Sequence, residues 1–464
     1  MYIQSNDMPL LTDLYELTMA QSYFQEEHNG LAAFSLFIRK YPPHRGYFVS
    51  CGLEDVLHYL EEFHFNTEAV DRLHRTNIFS DAFLDYLKTL RFTGEVRAVP
   101  EGRLFFCDEP VLEVTAPIIE AQLVETLIIN QMNLQILIAT KAARCVQAAR
   151  GRKIIDFSLR RTQGLDAGMK VARASYIAGA AATSNVLAGV TFGIPLSGTM
   201  AHSFISSYDQ EIDAFRAFVK NFPERSILLI DTYDTLAGAH KAVQVAWEMA
   251  ARGQHLQGVR IDSGDLLTLG REVRRILDEA GFSDVQIVGS GGLDEFDLEE
   301  LSQQNAAYDA YGVGTKMGVS GDAPWTDMAY KLVSYNGHPV LKLSEGKISL
   351  PAAKQVFRFT EAGKLNHDVI ALLEETMEGG EPLLQKVMID GQIIQPLPSL
   401  PEIRERFQTE FGRLGDHYKL IRDPAVFPVQ ISSDLQALKE HFEDRLVAPE
   451  PGLAGPPPRD LGES

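Results

Sequence analysis

Cysteine is scarce in this chain of 464 residues: Cys51, Cys107 and Cys145 lie far apart, are odd in number and never fall in CxxC spacing. That argues against both a disulfide framework and a cysteine-rich zinc site, and fits a reducing compartment. Positive charge is also in short supply. Lys and Arg number 43 against 63 Asp and Glu, a formal net charge of −20, so nucleic acid and anionic membranes are poor general partners. A few basic residues gathered in one pocket can still hold a small anion. No apolar run reaches the length of a membrane span, and the opening MYIQSNDMPLLTD lacks the basic start and apolar core of a signal peptide. The expected location is the cytoplasm. What is present is ordinary for a globular protein, 45% apolar and 23% charged, in a chain long enough for more than one core, since single cores stop growing at roughly 250–300 residues. Two domains are expected.

Residues 1–118 mix a helical stretch with short β-rich runs such as AAFSLFIRK and GEVRAVPEGRLFFCDEPVLEVT, which reads as an α+β region. From Ile119 to Arg150 there is neither proline nor glycine and the apolar spacing is helical. A different rhythm follows, in which short apolar runs end in polar, glycine-containing turns: KIIDFSLRR, IPLSGTMAH, SILLIDTYDT, GVRIDSGDL, VQIVGSGGL and DAYGVGT. Repeated strand-then-helix units imply a parallel sheet, and their even spacing favours barrel closure over an open doubly wound form. The barrel domain is expected over residues 119–330. In 331–400, Asn336-Gly337 and Asp390-Gly391 are hairpin turns, and these strands are expected to rejoin the N-terminal β region. Residues 401–445 show helical periodicity, and 446–464, rich in Pro and Gly, are expected to be disordered.

In a parallel barrel the active site lies at the carboxyl ends of the strands, so the turns closing the apolar runs should converge on one rim. The turns at Gly289–Leu293 and Gly312–Thr315 offer bare backbone N–H groups that can cradle a phosphate, although either could be only a turn. Around GVRIDSGDL, the plain reading is that Asp262 or Ser263 caps the next helix while Asp265 complements its dipole. Capping does not explain Arg260, whose guanidinium at the end of an apolar strand needs an anionic partner. Arg160 and Arg161 close another strand, either solvated or gripping a carboxylate or phosphate. His202 stands at the rim beside Gly198 and Thr199, where a neutral imidazole can act as nucleophile or base. Asp13, Tyr15 and Glu16 on the opening helix, and Arg39 with Lys40 after a strand, have a helix cap and a solvated basic pair as default readings.

Taken in order, LLTDLYELTMAQSYF, FSLFIRKYP, IDFSLRRTQG, SGTMAHSF, GVRIDSGDL, GSGGL and YGVGT closely resemble the nicotinate phosphoribosyltransferase family, from about residue 7 to about residue 397. The resemblance implies an irregular TIM-like α/β barrel beside an N-terminal α+β sandwich completed by strands after the barrel, and a homodimer with shared active sites. It implies a transfer of ribose 5-phosphate from phosphoribosyl diphosphate to nicotinate, with ATP and Mg2+ as the further requirements. By the same resemblance, Tyr15 stacks on the pyridine ring from the partner subunit, Arg260 and Thr199 hold the nicotinate carboxylate, and Arg160 lies at that pocket. Gly291, Gly292, Gly314 and Thr315 match the 5-phosphate site, Asp262 and the adjoining Ser263 the ribose side, and Arg39 with Lys40 the diphosphate. His202 matches the histidine that ATP phosphorylates.

The nearest rival, nicotinamide phosphoribosyltransferase, needs an acceptor for the amide where this chain has Met200. Quinolinate phosphoribosyltransferase calls for more basic residues, and a sugar-phosphate aldolase or isomerase for a lysine or paired acid and base at strand ends; none of the six runs ends in lysine. A non-catalytic binding protein needs no Arg260, Asp262 and His202 at one rim.

Overall fold

The structure, a computed structural model, describes residues 5–342 and 349–447. Most of the stretch expected to be disordered, 446–464, therefore lies outside the described residues. Near the N-terminus, β1 (Leu31–Ile38), β2 (Glu95–Ala98) and β3 (Leu112–Pro117) are antiparallel neighbours, with β3 in the middle. Six short strands follow: β4 (Lys153–Asp156), β5 (Ala182–Thr183), β6 (Ile227–Leu229), β7 (Gly258–Ile261), β8 (Gln286–Gly289) and β9 (Ala310–Val313). After them come β10 (Met328–Tyr335), β11 (Lys354–Glu361), β12 (Lys364–Leu372) and β13 (Gln385–Ile389).

β10 pairs with β1 and β13 with β2, so chain from both sides of the six-strand segment builds one seven-stranded sheet. Asn336-Gly337 and Asp390-Gly391 each join their flanking strands through two residues at positive φ, the geometry such hairpins need. β11 and β12 do not join that sheet. They pair with each other and with Glu381–Pro382 and Val429–Ile431 in a separate four-stranded sheet.

The six strands β4 to β9 form one parallel sheet in the order β5, β4, β9, β8, β7, β6. Its strands are buried nearly throughout, which is why they read as short continuous apolar runs instead of alternating ones. Against one face lie helices, including Glu125–Ala148, Thr235–Ala250 and Leu266–Glu279, in a core holding Ile154, Val259, Ile287 and Val313. On the other face Ile155, Ala182, Val288 and Ala310 make a small cluster with Phe157.

Two expectations need correction. IPLSGTMAH is not a strand: only Leu196 makes a bridge, to Thr183, and the strand in that place is the two-residue β5, too short to show any periodicity. The sheet is curled and parallel, but among the described residues no ladder joins β5 to β6; the segment Pro195–His202 crosses that seam through Thr183 on one side and Thr232 on the other.

Candidate functional site at the carboxyl edge of the parallel sheet

Register brings the strand ends level. Leu229 pairs with Arg260, Arg260 with Val288, Gly289 with Ile261, Val313 with Asp156 and Asp156 with Thr183. Everything that follows each strand therefore emerges on one edge. Asp156, pushed above the usual carboxylate range by burial, is wholly used in holding that edge: it accepts from Ser158 Oγ (2.5 Å), Ser158 N (2.9 Å) and Thr183 Oγ1 (2.7 Å).

Arg260 shares the sheet face of its register partner Val288, away from the helix-covered core. Its guanidinium lies 5.9 Å from the centre of the Phe157 ring, donates to Met200 O (2.9 Å) and stands 3.8 Å from Asp262 Oδ1. Nε is buried and has no hydrogen-bond partner among the described residues. Burial pulls its pKa down, with Asp262 and Asp231 acting the other way and the nearby Arg160 reinforcing the fall. A cation held in this condition is short of one anion.

Asp262 accepts from Ser290 Oγ (2.5 Å), and its Oδ2 lies 3.7 Å from His202 Nε2. The other ring nitrogen, Nδ1, hydrogen-bonds Thr232 Oγ1 at 3.1 Å. Asp231 accepts from Asp262 N (3.0 Å) and Ser263 Oγ (2.6 Å), while its buried Oδ1 has no hydrogen-bond partner among the described residues. Neither Asp262 nor Ser263 caps the following helix. That task falls to Asp265, whose carboxylate accepts from Leu267 N and Thr268 N, which leaves the two earlier residues free to face the edge.

Gly291 and Gly292 sit at φ +106° and +74°, and a Cβ on Gly291 would come within 2.0 Å of Asp262 O, so only glycine allows this turn to lie against the Asp262 loop. Asp294 caps the helix Glu295–Gln303, so that helix end is already satisfied by the chain's own carboxylate. Gly314 lies against Phe157 O, and Thr315 opens a four-residue turn of helix. Lys316 ties the two glycine turns together, donating to Asp294 Oδ2 (2.9 Å) and Asp297 Oδ2 (3.0 Å).

Arg260, Asp262, Ser263, His202, Gly291, Gly292, Gly314 and Thr315 thus share one edge. Thr199 precedes the carbonyl that Arg260 binds, and Arg160 is exposed in the turn Leu159–Arg161. Among the described residues no hydrogen bond or ion pair ties the remaining three directly to Arg260, Asp262 or His202. Arg39 pairs with Asp327 (3.1 Å) and Lys40 is exposed, both just beyond β1. Tyr15 lies on the helix Leu14–Gln25, 48% exposed, and no hydrogen bond or ion pair among the described residues connects it to the edge. Asp13 was expected to cap that helix; its side chain instead accepts from Thr126 Oγ1 (3.2 Å). Asp231, Thr232, Phe157 and Ser290 were not singled out in the sequence, although Asp231 closes its apolar run just as Asp262 closes the next.

Comparison with known proteins decides the family. Residues 10–133 match the nicotinate phosphoribosyltransferase (NAPRTase) N-terminal domain, 152–349 the nicotinate phosphoribosyltransferase (NAPRTase) family and 379–439 the nicotinate phosphoribosyltransferase C-terminal domain. The chain belongs to the nicotinate phosphoribosyltransferase family. It is 45% identical to a nicotinate phosphoribosyltransferase of Mycobacterium tuberculosis over 93% of each chain. With the Bacillus subtilis nicotinate phosphoribosyltransferase the identity is 36%, over 93% of this chain and 94% of the other. The crystal structure of human nicotinic acid phosphoribosyltransferase superposes with a TM-score of 0.83 at 29% identity, covering 93% of this chain and 99% of that one. The matched segments span both glycine turns, Arg260, His202 and the opening helix, so the nicotinate phosphoribosyltransferase likeness covers the whole candidate edge.

Proposed function

We propose that this chain forms nicotinate mononucleotide and diphosphate from nicotinate and 5-phosphoribosyl 1-diphosphate, coupled to ATP hydrolysis through phosphorylation of His202. The observation that carries the reading is Arg260: a buried guanidinium with one direct hydrogen bond and an unpartnered Nε, on the same edge as two glycine turns. A pyridine carboxylate supplies the missing anion, oriented with Thr199 and Arg160 close by. The backbone of Gly291, Gly292, Gly314 and Thr315 takes the 5-phosphate, and Asp262 with Ser263 the ribose hydroxyls.

Cleavage at ribose C1 develops positive charge on the ring and negative charge on the departing diphosphate. Asp262 faces the first. Arg39 and Lys40 are assigned to the second, and the nicotinate nitrogen, held in place by Arg260, attacks C1. Mg2+ usually binds through one or two carboxylates together with substrate phosphates. Asp231, with its unpartnered buried oxygen beside Asp262, fits that donor set, and the described residues hold no cluster of three or more protein donors. The ion would supply charge neutralisation for the diphosphate.

We also read the curled sheet, with the Pro195–His202 segment over its seam, as an irregular TIM-like barrel, and the seven-stranded sheet with its helices as the N-terminal sandwich. Tyr15 completes the site from a second copy. It is exposed beside exposed Leu11 and Leu14, while Leu165, Val186, Leu187 and Val190 (74%) form an exposed apolar set in the segments after β4 and β5.

Incubation with phosphoribosyl diphosphate, ATP labelled at the γ position and either nicotinate or nicotinamide tests the scheme. The expected result is mononucleotide from nicotinate, acid-labile label on the protein, and loss of that label together with the ATP-dependent part of turnover in His202→Ala. Label that persists in the variant removes His202 from the role.

A further inference from the structure

His202 opens a five-residue helix, and its ring is close to half exposed. Among the described residues the ring makes one hydrogen bond, from Nδ1 to Thr232 Oγ1 at 3.1 Å. Thr232 is itself held from both sides. The preceding Asp231 is anchored by the Asp262 amide and the Ser263 hydroxyl, and Asp234, two residues on, caps the helix Thr235–Ala250 by accepting from Ala237 N (2.7 Å). A hydroxyl fixed in this way is a rigid reference point beside a ring that little else restrains.

The second nitrogen, Nε2, faces Asp262 Oδ2 at 3.7 Å. A carboxylate there favours the ring proton on Nε2, so the lone pair lies on Nδ1, where the threonine hydroxyl donates to it. We propose that Thr232 is a positioning residue, whose hydroxyl fixes the plane of the His202 ring that accepts a phosphoryl group. The inference rests on the phosphohistidine reading above.

The step balances. As the threonine hydroxyl swings off Nδ1, the lone pair of that nitrogen forms the P–N bond while the bond from the γ-phosphorus to its bridging oxygen breaks, and ADP leaves with that electron pair. The proton stays on the opposite nitrogen. The phosphorylated ring is then cationic, facing the Asp262 carboxylate, while the threonine hydroxyl is free to turn from the nitrogen to a phosphoryl oxygen.

Full-length wild-type protein, Thr232→Val, Thr232→Ser and His202→Ala are compared in single-turnover labelling by ATP carrying a γ-phosphorus label, and by 15N spectra of the histidine rings, with the His202 signals identified by their loss in His202→Ala. Valine keeps the shape and removes the hydroxyl; the labelling rate at saturating ATP is expected to fall about tenfold, with half-saturation by ATP little changed. The His202 ring signals should move in the valine variant and stay in place in the serine variant, which should label within about threefold of wild type. A valine variant that labels at the wild-type rate overturns the positioning role. So does a serine variant as slow as valine, which keeps the test decisive if valine disturbs folding. Label persisting in His202→Ala overturns the reading beneath it instead, so the two failures are told apart.

Discussion

Two buried arginines on the same body of the protein are treated in opposite ways. Arg144, on the long helix Glu125–Ala148, is 1% exposed and saturated: it donates to Glu295 (3.0 Å), to Ile421 O (2.8 Å) and to His44 O. Around it Lys141 and Arg45 share Glu295 and Asp322, and the two cations hold the Asp322 carboxylate well below its usual range against the opposing effect of burial. Arg260, 9% exposed, has one carbonyl, a distant carboxylate and a free Nε. A network that closes on itself serves the fold, and one that stops short reserves binding energy for a ligand.

The largest effect should come from opening the closed network. Glu295→Ala leaves Arg144, Lys141 and Arg45 without their common partner, and a loss of about 3–5 kcal/mol in urea unfolding is expected. If the variant unfolds like wild type, the network is not what separates the two regions. Next is Arg260→Gln, for which kcat/KM with nicotinate should fall by roughly 100-fold or more, with the unfolding midpoint close to wild type. A variant that unfolds early but keeps its kcat/KM would place Arg260 with Arg144 as a structural residue.

The smallest effect concerns a third case, between the two. Glu16 is buried on the opening helix and accepts from Gln122 Nε2 (2.6 Å); burial pushes its carboxyl up to about 7 against the hydrogen bonds from Tyr15 and Gln122. A folded-state pKa above the unfolded value means that the folded chain binds more protons between about pH 4.5 and pH 7. Stability from this residue therefore falls as pH rises through that window and stays low above it. Glu16→Gln should unfold with the wild type near pH 4.5 and later than it at pH 8, by roughly 1–2 kcal/mol. Equal pH dependence in the two proteins would mean that the carboxyl is ionised and satisfied.

Five of the six parallel strands were legible because strands buried on both faces must be short apolar runs, and their polar ends marked the edge. Arg260 stood out for the same reason: a guanidinium closing such a run demands an explanation. β5 is hidden because two residues carry no pattern, and IPLSGTMAH reads as a strand because Ile194 and Leu196 alternate as strand residues do. Asp262 and Asp265 could not be told apart as caps from composition, since both carry the same side chain near the same helix start. Lys141 and Arg144 were invisible on a helix read as apolar, because their carboxylate partners are more than 150 residues away.

By itself the sequence determined five of the six parallel strands, where each of those ends, and which turns need glycine, for these follow from side-chain burial and local backbone freedom. Only the tertiary structure decided which charges are spent and which are left over. Arg144 and Arg260 are the same residue type on apolar segments, and the difference between them is the set of distant groups that folding brings within about 3 Å, a distance at which hydrogen bonds form and which no local pattern encodes.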